Sequence, residues 1–229
     1  MGNTMTKKQA LSATDIYDRI LLAITERRLL PGARLVEERL VEVTGASRTR
    51  VRQVLARLAH EQLVTLVPNK GACIASPTVE EAQEVFYTRR LLEPGMAATL
   101  ATTITAAQLK RLQQHVAKEK AARAQRDSRA IIRLSGEFHM CIAEMVASHS
   151  LLRIMRELTS FTCLVITLYD KPSVTACSDH EHADLIACFE RGDAEGARHH
   201  MHEHLNSIEH ALDLSDPEEA LPDFEEIFG

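Results

Sequence analysis

Gly45-Ala46-Ser47-Arg48-Thr49-Arg50-Val51-Arg52-Gln53-Val54-Leu55-Ala56-Arg57-Leu58 is the stretch that decides how the front of this chain folds. Ser47 suits an N-cap, where its hydroxyl accepts an orphan N–H of the first turn, and Gly45 lets the preceding turn bend tightly. At about 100° per residue, Val51, Val54, Leu55 and Leu58 gather into one sector while Arg48, Thr49, Arg52 and Gln53 point away from it. Such a helix buries one side and offers guanidinium groups to a polyanion on the other. Arg48 and Arg52, four apart with Thr49 beside them, match the spacing needed to hold phosphates or reach guanine edges in a major groove. Arg50 and Arg57 lie toward the far flank and read as phosphate or surface residues.

Outward from this segment, Ile16, Ile20, Leu21 and Ile24 predict a helix over 14–28, stopped by Pro31-Gly32. A short second helix is expected over 35–43, so the order is that of a helix-turn-helix. Leu63-Val64-Thr65-Leu66-Val67, the turn tetrad Pro68-Asn69-Lys70-Gly71 and Ala72-Cys73-Ile74-Ala75 predict a β-hairpin, the wing of a winged helix, with Lys70 and Gly71 at its tip. After the hinge Ser76-Pro77-Thr78 the strand signals end. Helical stretches are expected over 79–101, 105–125, 128–147, 150–169, 176–191 and 193–213. The fold class is therefore mainly α, divided into a flexible leader (1–11), a winged helix-turn-helix (12–76), an all-α domain (77–213) and an acidic tail (214–229).

Charge separates the two domains. The chain's net charge is −5, but the first 75 residues carry 12 Lys and Arg against 7 Asp and Glu, and the remainder 15 against 25. A basic front and an acidic back imply that only the front meets phosphate. The 5 cysteines are odd in number and show no C-x-x-C pairing, which excludes a disulfide framework or zinc ribbon and fits a reducing cytoplasm. No apolar run approaches the roughly 18–20 residues of a membrane span, and no secretory leader is visible.

Of the 11 histidines, seven (His180, His182, His199, His200, His202, His204 and His210) fall in the last two predicted helices. Helical geometry puts His182 inside its apolar sector and His204 at the edge of its own. His180, His199 and His210 face away, and His200 and His202 lie on the flanks. His139 sits on one shoulder of the stripe Leu134, Phe138, Ile142, Met145. Three inward histidines from three helices either converge on a divalent metal, for which imidazole is a suitable ligand, or are separate hydrogen-bonded core histidines. Arg89 or Arg90, turned inward, would clamp a carboxylate ligand. The rival function is a metal-dependent enzyme built on His139, His182 and His204. Against it, the chain contains no H-E-x-x-H, G-x-S-x-G, Walker loop or G-x-G-x-x-G.

Leu30-Pro31-Gly32-Ala33-Arg34-Leu35, the Ala46–Leu55 run, Arg57-Leu58 and Gly71 resemble the winged-helix signature of GntR-family bacterial transcription regulators. Arg89-Arg90-Leu91-Leu92-Glu93, Phe138-His139, Glu181-His182 and Gly192-Asp193-Ala194-Glu195-Gly196-Ala197 through His204-Leu205 resemble the FCD effector domain of the FadR-like branch. The resemblance spans about residues 14–212. It implies a ligand-responsive regulator, a repressor, that acts as a homodimer on a palindromic operator. Ser47, Arg48, Thr49 and Arg52 would lie at DNA and Gly71 near the minor groove. On the second helix, where the family often has an arginine, this chain has Glu38, with Arg39 beside it. The resemblance also implies a bound metal, Zn or Ni, held by an Asp and three His. His139, His182 and His204 match, and Ser135 stands at the Asp position. Arg89 matches an arginine lining the effector pocket, and the implied effector is a small organic acid.

Overall fold

The computed structural model describes residues 10–68, 71–146, 148–170 and 180–214. Helix α1 (Ala13–Thr25) opens with a capping box: Ser12 accepts the Asp15 N–H, and the Asp15 carboxylate accepts the N–H of Ser12. Helix α2 (Glu37–Thr44) ends at Gly45, whose φ of 66° is the left-handed conformation that terminates a helix without a Cβ penalty. Helix α3 (Arg48–His60) starts from Ser47, which accepts the Arg50 N–H at 3.2 Å. Its sector Val51, Val54, Leu55, Leu58 packs into one core with Ile16, Tyr17, Ile20 and Ile24 of α1.

The wing contains β2 (Val64–Val67) and β3 (Gly71–Ile74), as the turn signals predict, and also a two-residue strand whose second residue, Leu35, the sequence reading assigned to the second helix. Arg34–Leu35 forms β1, which pairs antiparallel with β3 in the order β1-β3-β2, with Leu35 opposite Ala72. Leu35 is apolar and buried, so its periodicity alone does not distinguish a helix start from a strand; β3 supplies the pairing edge, and α2 begins only at Glu37. Gly71 is dictated by this crossing. Its φ is 104°, and a Cβ there would lie 2.2 Å from the carbonyl oxygen of Leu35.

The two flank arginines, Arg57 exposed and Arg50 half-buried, also brace the domain. Arg57 lies over the Tyr17 ring at 3.7 Å and pairs at 3.0 Å with Glu61, a buried carboxylate that also accepts from the Tyr17 hydroxyl. Arg50 donates to the Leu11 carbonyl at 3.0 Å.

Beyond the hinge come α4 (Val79–Thr103), α5 (Ala106–Ala124), α6 (Ser128–Val146), α7 (His149–Tyr169), α8 (Glu181–Arg191) and α9 (Ala194–Ala211). They correspond to the six expected stretches. The start of the expected 176–191 helix falls partly outside the described residues, as does the acidic tail. Thr78 and Glu81 form a capping box at the head of α4, and Thr105 and Gln108 form one at the head of α5. Leu100, Leu112, Phe138, Met155, Leu185, Met201 and Leu205, from all six helices, share one core. The two domains are joined physically. Leu164 of α7 is buried in the α1–α3 core, and Arg27, at a φ of 55°, donates to the Thr167 carbonyl at 2.8 Å and pairs with Asp170 at 3.4 Å. That guanidinium satisfies carbonyls at the C-terminal end of α7, where a cation also suits the helix dipole.

Candidate nucleic-acid interface and metal centre

The capped helix α3, the start of α2 and the wing enclose a cleft of about 850 Å³ whose lining includes Arg34, Glu37, Glu38, Arg48, Arg52 and Gly71. Arg48, Thr49 and Arg52 are exposed, on the side of α3 opposite its buried sector. Arg52 Nε donates to Glu37 Oε2 at 2.7 Å, and Arg48 Nη2 lies 3.8 Å from Glu38. Arg39 is exposed and paired with Glu42 on its own helix. The Ser47 side chain is occupied by the cap. Lys70 lies outside the described residues. Sequence reading did not single out Arg34, because its entry into the cleft depends on β1 pairing with β3.

The histidines sort as helical geometry predicts, and more completely. His139 on α6, His182 on α8 and His204 on α9 are 1%, 5% and 1% exposed. His204 Nε2 lies 3.1 Å from the Nε2 of His139 and 3.1 Å from that of His182. Phe138 stacks on the His182 ring with centroids 3.9 Å apart. Each outer nitrogen meets a carboxylate: His139 Nδ1 contacts Glu93, His182 Nδ1 contacts Glu119 at 2.8 Å, and His204 Nδ1 contacts Glu181 at 2.6 Å. A carboxylate can only accept, so the Nδ1 atoms carry the protons and the Nε2 lone pairs face one another. Burial, reinforced by neighbouring cationic or imidazole groups, pushes His139 down to about 4 and His204 to about 3, which keeps both neutral. Burial alone would raise Glu119, but the adjacent His115 ring and the hydrogen bond from His182 outweigh it and hold that carboxyl at about 2.

Three converging imidazole nitrogens fit a borderline divalent cation such as zinc or nickel. The 3.1 Å separations are close to the ~3.3 Å between nitrogens that each sit about 2.0–2.1 Å from a tetrahedral zinc. Ser135 is buried on α6 and brings no charge to this set.

Of the two candidate arginines, Arg89 turns inward and Arg90 does not. Arg89 is 2% exposed, forms an ion pair with Glu93, and has a buried Nη2 with no hydrogen-bond partner. Arg90 reaches across to Glu209 on α9. Sequence reading gave no site role to Glu93, Glu119, Glu181 or His115. One signal was available: His115 and Glu119 occupy the buried stripe Leu112, His115, Val116, Glu119, Ala122 of α5, where ionisable residues are rare unless paired.

The shifts define a pH dependence. With His139 and His204 depressed below the ordinary 6.5, the unfolded chain binds more protons than the folded one as pH falls below about 6.5. Glu119, held near 2 against an ordinary 4.5, acts in the same direction at lower pH. Stability therefore rises with pH across this range and is lost on acidification. Urea titrations at pH 7.5 and pH 5 are expected to show a lower midpoint at pH 5; equal midpoints would contradict the buried, neutral state of the cluster.

The FCD domain profile matches residues 84–207, more than half of the chain, and that of bacterial regulatory proteins of the gntR family matches residues 12–74. The chain belongs to the GntR family, in the branch that carries an FCD domain. This GntR regulator is 20% identical over 214 residues to the HTH-type transcriptional repressor RspR of Escherichia coli K12, covering 91% of this chain and 94% of that one. It is 26% identical over 176 residues to the HTH-type transcriptional regulator McbR of the same organism, covering 75% of this chain and 79% of the relative. The solved structure of E. coli McbR/YncC superposes with a TM-score of 0.76 at 21% identity, over 86% of this chain and 95% of that one. A putative GntR regulator from Rhodococcus sp. RHA1 superposes with a TM-score of 0.72 at 23% identity, with the same coverages. The GntR chain is a DNA-binding transcription regulator with a helical FCD domain, and no helix among its described residues is long and apolar enough to cross a membrane.

Proposed function

We propose that this regulator is a cytoplasmic homodimeric repressor whose operator affinity is set by a small carboxylate and a divalent metal in the α4–α9 bundle. Two copies of α3, related by a two-fold axis, would lie in major grooves of a palindromic operator. In this reading Arg48, Thr49 and Arg52 reach base edges or phosphates, Arg39, Lys70 and the Ser47 cap flank them, and Gly71 lets the wing approach the minor groove. Glu38 stands among these basic groups and cannot hold a phosphate, so its role is to discriminate among bases or to orient Arg48. The repressor assignment follows the likeness to RspR.

On the input side, the observation that carries the reading is the convergence of three buried Nε2 atoms, linked through Glu93 to an arginine with an unpaired buried Nη2. His139, His182 and His204 would hold zinc or nickel, which supplies an open, Lewis-acidic position for an oxygen ligand. Arg89 would take the carboxylate of the effector, because a guanidinium pairs with that group in a charge-assisted way. The output travels through α7, on which Leu164 and the Arg27 contacts tie the winged helix to the bundle. An effector alters operator occupancy only by its differential affinity for the DNA-competent state.

The test is a thermal-shift screen of small carboxylates on full-length protein of measured metal content, with and without chelator. A carboxylate-dependent shift that chelator removes, with the ligand recovered unchanged, is the expected result. Stability and ligand response indifferent to chelator and to every added metal would make the histidine cluster purely structural, and a converted ligand would point to the enzyme instead.

A further inference from the structure

We infer that Glu93, Glu119 and Glu181 are the positioning residues of the histidine site, one for each imidazole, and that they supply the negative charge that Ser135 does not. The inference rests on the metal reading above. Each carboxylate comes from a different helix than the histidine it serves. Glu93 on α4 holds His139 on α6, Glu119 on α5 holds His182 on α8, and Glu181 on α8 holds His204 on α9. Five of the six bundle helices are thereby tied to one point.

An imidazole that donates from Nδ1 has its lone pair on Nε2, so three such contacts set all three rings in the ligating tautomer before any ion arrives. In that tautomer His204 Nε2 turns its lone pair toward two other Nε2 atoms at 3.1 Å. The arrangement is therefore complete only with a positive centre among the nitrogens.

Charge points the same way. Three carboxylates surround the cluster against the single guanidinium of Arg89, and the shell stays negative even when His115, next to Glu119, is charged. A protein that places a carboxylate among the metal ligands neutralises part of the ion directly. Here the neutral Ser135 leaves that task to the outer carboxylates, which act through the rings they hold. Two of the carboxylates have a second donor that keeps them in place, Arg89 for Glu93 and Ser207 for Glu181, and Glu119 has the His115 ring 3.5 Å away.

Glu181 is the most accessible of the three, so its variants are the ones most compatible with the fold. Full-length wild type, Glu181→Ala, Glu181→Gln and Glu119→Gln would be titrated with Zn²⁺ and with Ni²⁺ against a chromophoric chelator. The His204 tautomer would be read by long-range ¹⁵N–¹H NMR before metal is added. Glu181→Ala is expected to bind about 10–100-fold more weakly and to show mixed His204 tautomers. Glu181→Gln, whose amide oxygen still accepts from Nδ1–H, should keep the tautomer and recover part of the affinity, and Glu119→Gln should weaken binding through charge alone. Wild type that binds metal no better than the variants, with the tautomer unchanged, overturns the inference and leaves the metal site standing. Wild type that binds neither metal overturns both.

Discussion

Arg52→Ala is expected to abolish binding to an operator selected by the wild-type chain from random duplexes, a loss of roughly hundredfold or more, while leaving the fold intact. Each bidentate arginine–guanine contact contributes about 1–3 kcal/mol of discrimination, and a dimer makes every contact twice. The side chain is 68% exposed on α3, and its partner in the free protein is Glu37. Truncating an exposed arginine in a pair at the domain surface changes stability little. A gel-shift or anisotropy titration measures the affinity, and circular dichroism checks the fold. Unchanged operator affinity in a folded variant would contradict the assignment of α3 as the reading helix. Arg57→Ala is the instructive contrast, since its guanidinium lies over Tyr17 and beside Glu61 and its loss weakens the domain rather than the contact with DNA.

The second large effect is at the other end of the molecule. His204→Ala removes the nitrogen that both other histidines face at 3.1 Å, and with it two of the three possible ligand pairs. In the wild type, zinc at 100 times its Kd is expected to stabilise the folded state by about 2.7 kcal/mol. For a chain of this size that corresponds to a rise in Tm of roughly 5–10 °C. The variant should show no such rise on adding zinc, and a lower Tm without it, because a buried side chain is lost and Glu181 loses its His204 donor. Calorimetry with and without zinc measures both. An undiminished zinc response would place the metal elsewhere.

Local signals carried much of the fold. Ser47 and Gly45 marked both ends of the turn before α3, the apolar sector of α3 is the buried one, and Pro68 through Gly71 located the wing. Each of these is settled within a few residues, where capping and periodicity operate. Leu35 was misplaced because a two-residue strand has no period of its own and exists only through its pairing with β3, distant in sequence. The contacts of the flank arginines were not legible for a similar reason. The helix angle of Arg57 indicates a flank, but the presence of Tyr17 there depends on how α1 packs on α3.

At the candidate site the same division holds. Helical angles identified His139, His182 and His204 as inward, whereas between Arg89 and Arg90 only the family resemblance pointed to Arg89. The three glutamates were given no role, although Glu93 and Glu181 stand within the quoted motifs, because a carboxylate is ordinarily an exposed residue, and only the assembled bundle brings Glu93, Glu119 and Glu181 to the Nδ1 atoms they hold.

The most direct test of coupling between the two ends is the operator affinity of the wild-type chain, titrated in parallel with and without zinc and with the carboxylate that gives the largest thermal shift. Zinc and carboxylate together are predicted to change that affinity by about 5–150-fold, the range of ordinary allosteric coupling, and chelator should reverse the change. An operator affinity that stays constant while the bundle demonstrably binds both would contradict the account.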